Sequence, residues 1–155
     1  MRPKGIGFTG TRRKPTAEQL KTLEQFLQTP RLLPNGIFGP ICIAYSVFHH
    51  GDCIGADLEA HLIALRLGMQ IHLHPPKDSR YRAYCEDCSY CSPEKVFLER
   101  NHDIVDASDL LIACPKEDHE VLRSGTWATV RYAIKSKIST AIIYPSGQMN
   151  CTIIA

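Results

Sequence analysis

The chain has 155 residues, 44% of them hydrophobic and 22% charged, which suits one buried core and is too short for two ordinary domains. A formal net charge of +2 does not advertise a broad polyanion-binding surface, and ten Gly and ten Pro spread along the chain exclude a fibrous or low-complexity class. No run approaches the roughly 18 to 20 apolar residues of a bilayer span.

The opening MRPKGIGFTG passes from a short basic start into a strand-like run without a signal-peptide core. We therefore expect a cytoplasmic protein with no membrane partner. Seven cysteines, an odd number, are expected to stay reduced, as core thiols or metal ligands.

In chain order, KGIGFTG is a short buried strand ending in a Gly-containing turn. TAEQLKTLEQFLQ follows with Leu20, Leu23, Phe26 and Leu27 at helical spacing, and Thr16 with Gln19 forms a capping-box pattern. TPRLLPNGIFGP is a Pro/Gly-rich connection, and ICIAYSVFHHG supplies the second apolar run. GADLEAHLIALRLG predicts a helix with Leu58, Leu62, Ala64 and Leu65 inward, stopped at Gly68. MQIHLHP is a third strand.

Residues 75–92 form a long polar connection, a length that in compact domains goes with function or mobility. PEKVFLERNHDIVDAS predicts a helix opened near Pro93, with Val96, Phe97, Ile104 and Val105 on its apolar side. DLLIACP is a strand, GTWATVRYAIKSK a helix and TAIIYP the last strand. This alternation predicts an α/β Rossmann-like three-layer fold, with a parallel sheet of about five strands and right-handed crossovers over residues 1–155. A ligand then belongs beyond the carboxyl ends of the strands.

Four turns fall on that edge. In the first, Gly10 permits close approach, Thr9 and Thr11 offer hydroxyls, and Arg12 or Arg13 can clamp a phosphate. In HGDCIGAD, Gly51, Gly55 and Ala56 make a small-residue entry to a helix. Asp52 and Asp57 there suit ribose hydroxyls or an exocyclic amine better than a bare phosphate, and Asp57 equally suits a helix start. His49, His50 and His61 read as core or surface histidines.

The loop after IHLHP is the third turn. Near the fourth, CPKEDHEVLRSGT, Ser124, Gly125 and Thr126 open a helix as an anion cradle, while Trp127 reads as a core or lid aromatic. Asn101, on the helix before DLLIACP, can donate to and accept from a base or ribose, and is preferred to His102. In CEDCSYC, Cys85, Cys88 and Cys91 have a spacing from which thiolates can reach one zinc ion, with His72, His74 or His102 as a fourth ligand. The ligand set is incomplete, and no cofactor is required by the pattern.

GFTGTRR, HGDCIGADLEAH, YRAYCEDC with VFLERNHDIVDASDLLIACP, and LRSGTWATVRYAIKSKISTAIIYP occur in that order. Together they resemble the SLOG superfamily of Rossmann-like proteins, which includes the DprA, LOG (cytokinin-activating nucleotide hydrolase) and YspA-like branches. The chain is similar to small YspA-like members of bacteria and phages. The resemblance implies a nucleotide-derived ligand such as a nucleotide or an ADP-ribose-type molecule, with Gly10 and Thr11 at the first ligand turn, Gly51 and Gly55 at the second, and Gly125 and Thr126 at the third. It also implies a homodimer or higher homo-oligomer.

The hydrolase branch places a glutamate within three residues after its Gly-Thr pair; here those positions hold Trp127, Ala128 and Thr129. None of these can act as a carboxylate acid, base or nucleophile. The first expectation is therefore a binding protein, a sensor or a sequestering protein. The alternative is a nucleoside-phosphate N-glycosidase or base-ribose transferase using Asp57, Glu120 or Asp52. Single-stranded DNA binding is the third reading, disfavoured by the modest charge and the lack of a basic-aromatic stripe.

Overall fold

The computed structural model describes residues 5–32, 38–45 and 47–153. Among the described residues, nine strands and five helices follow one another as β1 (Gly5–Gly10), α1 (Ala17–Leu27), β2 (Pro30–Leu32), β3 (Phe38–Pro40), α2 (Ile41–Ala44), β4 (Val47–His50), α3 (Ala56–Arg66), β5 (Gln70–Leu73), β6 (Tyr90–Cys91), α4 (Phe97–Asp106), β7 (Leu110–Cys114), α5 (Gly125–Lys135), β8 (Ser139–Ile143) and β9 (Met149–Thr152). The main sheet runs β6-β5-β4-β1-β7-β8-β9. All its neighbours are parallel except β8 and β9. The five strands expected from the apolar runs form its parallel centre.

Both faces are covered, and β7 shows why its sequence reads as an unbroken apolar run. Leu110, Ile112 and Cys114 join one core with Phe8, Phe48, Ile71 and the inward residues of α1 and α3. Leu111 and Ala113 join the opposite core, with Ile104 and Val105 of α4 and Trp127, Val130 and Ala133 of α5. Strands buried on both sides need no polar alternation. The chain adds β4 and β5 on one side of β1, then crosses to add β7 and β8 on the other. The strand order therefore reverses between β1 and β7, where helices diverge and leave a crevice.

Local signals explain several element ends. Thr16 accepts the Gln19 backbone N–H at 3.0 Å and Gln19 Oε1 accepts the Thr16 N–H at 3.1 Å, completing the capping box. The Gln19 amide then donates to the carbonyls of Pro115 and Ile143 at 2.7 and 2.9 Å. Gly68 has φ +77° just past α3, the left-handed stop expected of a glycine there.

Other expectations need correction. The run ICIAYSVFHHG divides into the helical turn α2, entered from Pro40, and the shorter strand β4, because Ile41 and Cys42 bury into the core from a helical turn. In α3 the buried face is Ala56, Asp57, Ala60, His61, Ile63 and Ala64, while Leu62 is 46% exposed. Hydrogen bonds to Asp57 and His61 let these polar residues face inward, and alanines allow the helix close to the sheet.

The helix α4 starts at Phe97 rather than at Pro93, with Val96 exposed at its cap. The strand TAIIYP is followed by β9, antiparallel to it, a short edge strand whose four residues are all exposed. Within TPRLLPNGIFGP, β2 and β3 pair antiparallel; residues 33–37 lie outside the described residues. No helix among the described residues is long and apolar enough to cross a membrane.

Candidate functional site at the carboxyl edge of the sheet

Three turns are knitted together by their backbones at the crevice. Thr11 N–H donates to the Cys114 carbonyl at 3.0 Å, and Ala56 N–H donates to the Thr11 carbonyl at 2.8 Å. The first turn is thereby fixed to the end of β7 and to the start of α3. Gly55 completes the junction: its φ is +89°, and a Cβ there would stand 2.4 Å from the backbone of Arg12. Only glycine fits that conformation at that distance.

Above this junction lies a cavity of about 340 Å³. Of the residues anticipated from sequence, Thr9, Gly10, Thr11, Arg12, Gly51, Asp57, Asn101, Ser124, Gly125 and Thr126 line it. Gly55 and Ala56 do not; they hold the first turn in place through the contacts just described. Ser124 caps α5 by accepting the Trp127 N–H at 3.2 Å. The N–H groups of the first helical residues, Gly125 and Thr126, lack intrahelical partners by helix geometry, so positive dipole is left at the cavity wall. Trp127 is 3% exposed and packs in the core.

Two anticipated carboxylates stand elsewhere. Asp52 is 0% exposed and absent from the cavity wall. Its oxygens meet Arg82 Nε at 2.9 Å and accept the Cys85 N–H at 2.8 Å, so it anchors the 75–92 connection. Glu120 is exposed and pairs with Arg131 at 2.9 Å. Asp57 is the anticipated carboxylate that lines the cavity. It accepts the Cys53 N–H at 3.1 Å, and burial, only partly opposed by the nearby Arg100 charge, pushes its pKa up to about 6.

The wall also contains Arg13, the other arginine anticipated in the first turn, together with Cys53, Phe97, Arg100, Lys116, Glu117 and Arg123, which are not among the expected ligand-binding residues. Arg100 is buried, and Nη1 donates to the carbonyls of Gly51 and, at 3.2 Å, His74, while Nε donates to Asn101 Oδ1 at 2.7 Å. A Cβ at Gly51 would stand 2.2 Å from that guanidinium, so glycine there makes room for Arg100. The available signal was an arginine on the apolar face of α4, three residues after Phe97 and four before Ile104. Lys116, Glu117 and Arg123 occupy the irregular turn before α5, where no periodicity ranks one polar residue over another.

Arg12 is held as well as placed. Its guanidinium carbon lies 4.0 Å from the Tyr81 ring centroid and 4.5 Å from that of Phe97, a cation–π clamp. The loop after β5 thus contributes a support to Arg12 rather than a wall residue. Five cations (Arg12, Arg13, Arg100, Lys116 and Arg123) face two carboxylates, Asp57 and Glu117, across the wall. Glu117 is tied down by accepting the Trp127 Nε1–H at 3.1 Å. Burial and Asp57 push the Cys53 thiol up to about 11, which removes it as a thiolate nucleophile near neutrality.

The cysteine run does not gather as one ligand set. Cys85 and Cys88 pack against the larger core, and Cys91 points its sulfur toward the Ser92 carbonyl and Arg82. Of the suggested fourth ligands, His102 stacks on Tyr132 at 3.8 Å, and His72 and His74 group with His49.

Fold and cavity define a Rossmann-like domain with a cationic site at the strand-order reversal. No protein-family model and no curated protein sequence matches the chain. Among solved structures, it is similar to the molybdenum cofactor binding protein from the phototrophic bacterium Rippkaea orientalis, with a TM-score of 0.65 and 20% identity over 93% of this chain and 78% of that one. It is also similar to TM1055, a structural-genomics target (TM-score 0.60, 12% identity, 88% and 72% covered). A third likeness is to DNA processing protein A (DprA) from Streptococcus pneumoniae (TM-score 0.59, 21% identity), covering 90% of this chain and half of that one. Likeness at such identities is one of fold.

Proposed function

We propose that the protein binds a nucleotide-derived small molecule carrying phosphate, a nucleotide or an ADP-ribose-type ligand, as a sensor or sequestering protein of the YspA-like kind. The observation that carries this reading is the meeting of the amino end of α5 with Arg12, Arg13, Lys116 and Arg123 on the wall of one cavity. Helix-end amides and a cationic rim favour phosphate oxygens. Asn101 and Asp57 supply the polar groups that a ribose or base requires. A fold neighbour described as binding the molybdenum cofactor is a small-molecule precedent on this architecture.

Isothermal calorimetry against nucleoside mono-, di- and triphosphates, cyclic dinucleotides and ADP-ribose tests the class. Saturable binding to at least one, weakened by Arg12→Ala, is the expected result, and silence across the panel rejects the reading. Self-association belongs to the same proposal, supported by exposed Leu98 on α4 and Ile134 on α5; sedimentation at several concentrations checks it.

Asp57 favours one second reading, N-glycosidic cleavage or base-ribose transfer. A carboxyl with a pKa of about 6 on the cavity wall is suited to holding or giving up a proton near neutrality. Incubation with nucleoside monophosphates, followed by chromatography for free base, separates the two. Base release abolished in Asp57→Asn establishes the enzyme, and intact ligand after prolonged incubation establishes binding.

A further inference from the structure

We propose that His49, His72 and His74 form a binding site for a late first-row divalent metal ion such as zinc, on the flank of β4 and β5 and outside the cationic cavity. His49 and His72 sit opposite each other in the parallel register of the two strands. His74, two residues after His72, returns to the same face. One nitrogen from each ring lies within 4.8 Å of the others, and the His72 and His74 rings stack at 4.3 Å.

One of the spacings is close to that between two ligands of one ion. His49 Nδ1 and His74 Nε2 are 3.0 Å apart, whereas two nitrogens of one tetrahedral zinc stand about 3.3 to 3.4 Å apart. A widening of a few tenths of an ångström admits the metal. The ion replaces the proton shared by these nitrogens, and the ring that donated it takes a proton on its other nitrogen, so both imidazoles stay neutral. Ser92 Oγ, 2.7 Å from His72 Nε2, supplies the kind of outer partner that orients a ligating imidazole. An all-imidazole set suits zinc, copper or nickel rather than calcium or magnesium.

Access favours this cluster over the second one, His50, His61 and Cys85. In that second cluster the Asp52 N–H meets His50 Nδ1 at 3.0 Å, His50 Nε2 meets His61 Nδ1 at 2.9 Å, and His61 Nε2 meets the Glu86 carbonyl at 2.6 Å. All four ring nitrogens are engaged in one chain of hydrogen bonds. The first cluster instead borders a groove of about 280 Å³, lined by His49, His72, Ser89 and Tyr90 among others. That groove gives an entry path and room for water or another ligand in a remaining coordination position.

The test uses the full chain, stripped with chelator and titrated with zinc against a chromophoric competitor, then with cobalt(II) for its spectrum. We expect one zinc per chain, a cobalt d–d spectrum without a thiolate charge-transfer band, at least a tenfold loss of affinity in His72→Gln, and no loss in Cys85→Ser. Absence of stoichiometric zinc binding overturns the proposal. So does a thiolate band with binding lost in Cys85→Ser, which assigns the metal to the second cluster. Should His72→Gln misfold, X-ray absorption of the zinc-loaded wild-type protein decides between a sulfur-free shell of nitrogen and oxygen, as proposed, and sulfur coordination, which rejects it. The nucleotide calorimetry above stands or falls separately, since none of the three histidines lines the cationic cavity.

Discussion

Asp52 and Asp57 lie five residues apart in one turn, yet they belong to two regions with different physics. Asp52 faces the 75–92 connection, where Arg82 and the Cys85 amide meet its oxygens and the Ala83 N–H bonds its carbonyl at 2.8 Å. Asp57 faces the cavity, with the Cys53 amide at 3.1 Å and burial that holds its pKa near 6. A buried carboxylate met by a cation at hydrogen-bond distance fastens two segments together. One whose burial outweighs its partners holds a proton near neutrality, and such groups suit chemistry or ligand sensing.

The largest effect should come from breaking the anchored side. Asp52→Ala leaves Arg82 and the Cys85 amide short of a partner, and we expect a loss of about 3 to 5 kcal/mol in urea unfolding, with faster proteolysis within 77–95. Wild-type stability in this variant would erase the distinction between the two aspartates.

The cavity side should respond to pH instead. The folded pKa of Asp57 is raised from 3.8 to about 6, so its contribution to stability is intact below pH ~4 and declines as pH rises toward 6, by about 3 kcal/mol at 1.36 kcal/mol per unit. Asp57→Asn cannot ionise and lacks that decline. Its stability relative to wild type should therefore rise by about this amount between pH 4 and pH 7, in paired urea titrations. A difference independent of pH would place Asp57 with Asp52.

Smaller effects should sharpen the cavity's own description. Arg12→Ala removes the cation clamped by Tyr81 and Phe97, and we expect about a tenfold loss, ~1.4 kcal/mol, in the affinity of a phosphate-bearing ligand, with stability nearly unchanged. Ser124→Ala removes the cap of α5. It should cost about 1 kcal/mol of stability, read as a lower midpoint in thermal unfolding.

The five parallel strands were legible because each is an apolar run punctuated by turns, and the capping box of α1 was legible because both partners are local in sequence. The wall positions at Thr9, Gly10, Thr11, Gly125 and Thr126 were legible for a similar reason: strand-to-helix junctions fall at one edge of such a sheet. Arg100 was hidden because a basic residue within a helix ordinarily faces water, and only the space above Gly51 accommodates it inside. β9 was hidden because an exposed edge strand carries no burial pattern. The grouping of the histidines was hidden for a third reason: the sequence suggests His72 and His74 only as a fourth ligand to the cysteine run and His49 as a core or surface histidine, because His49 lies 23 residues before His72 in sequence and only strand register makes them neighbours.

By itself, the sequence determined the order of the five parallel strands and the helices that join them, the edge at which the strand-to-helix turns gather, and the lack of a carboxylate just after the Gly-Thr pair, since all three depend on neighbours along the chain. The tertiary structure decided which aspartate anchors and which enters the cavity, which cations share its wall, and that three histidines converge. Those outcomes depend on burial and on distances between remote segments, and hydrophobic periodicity carries neither.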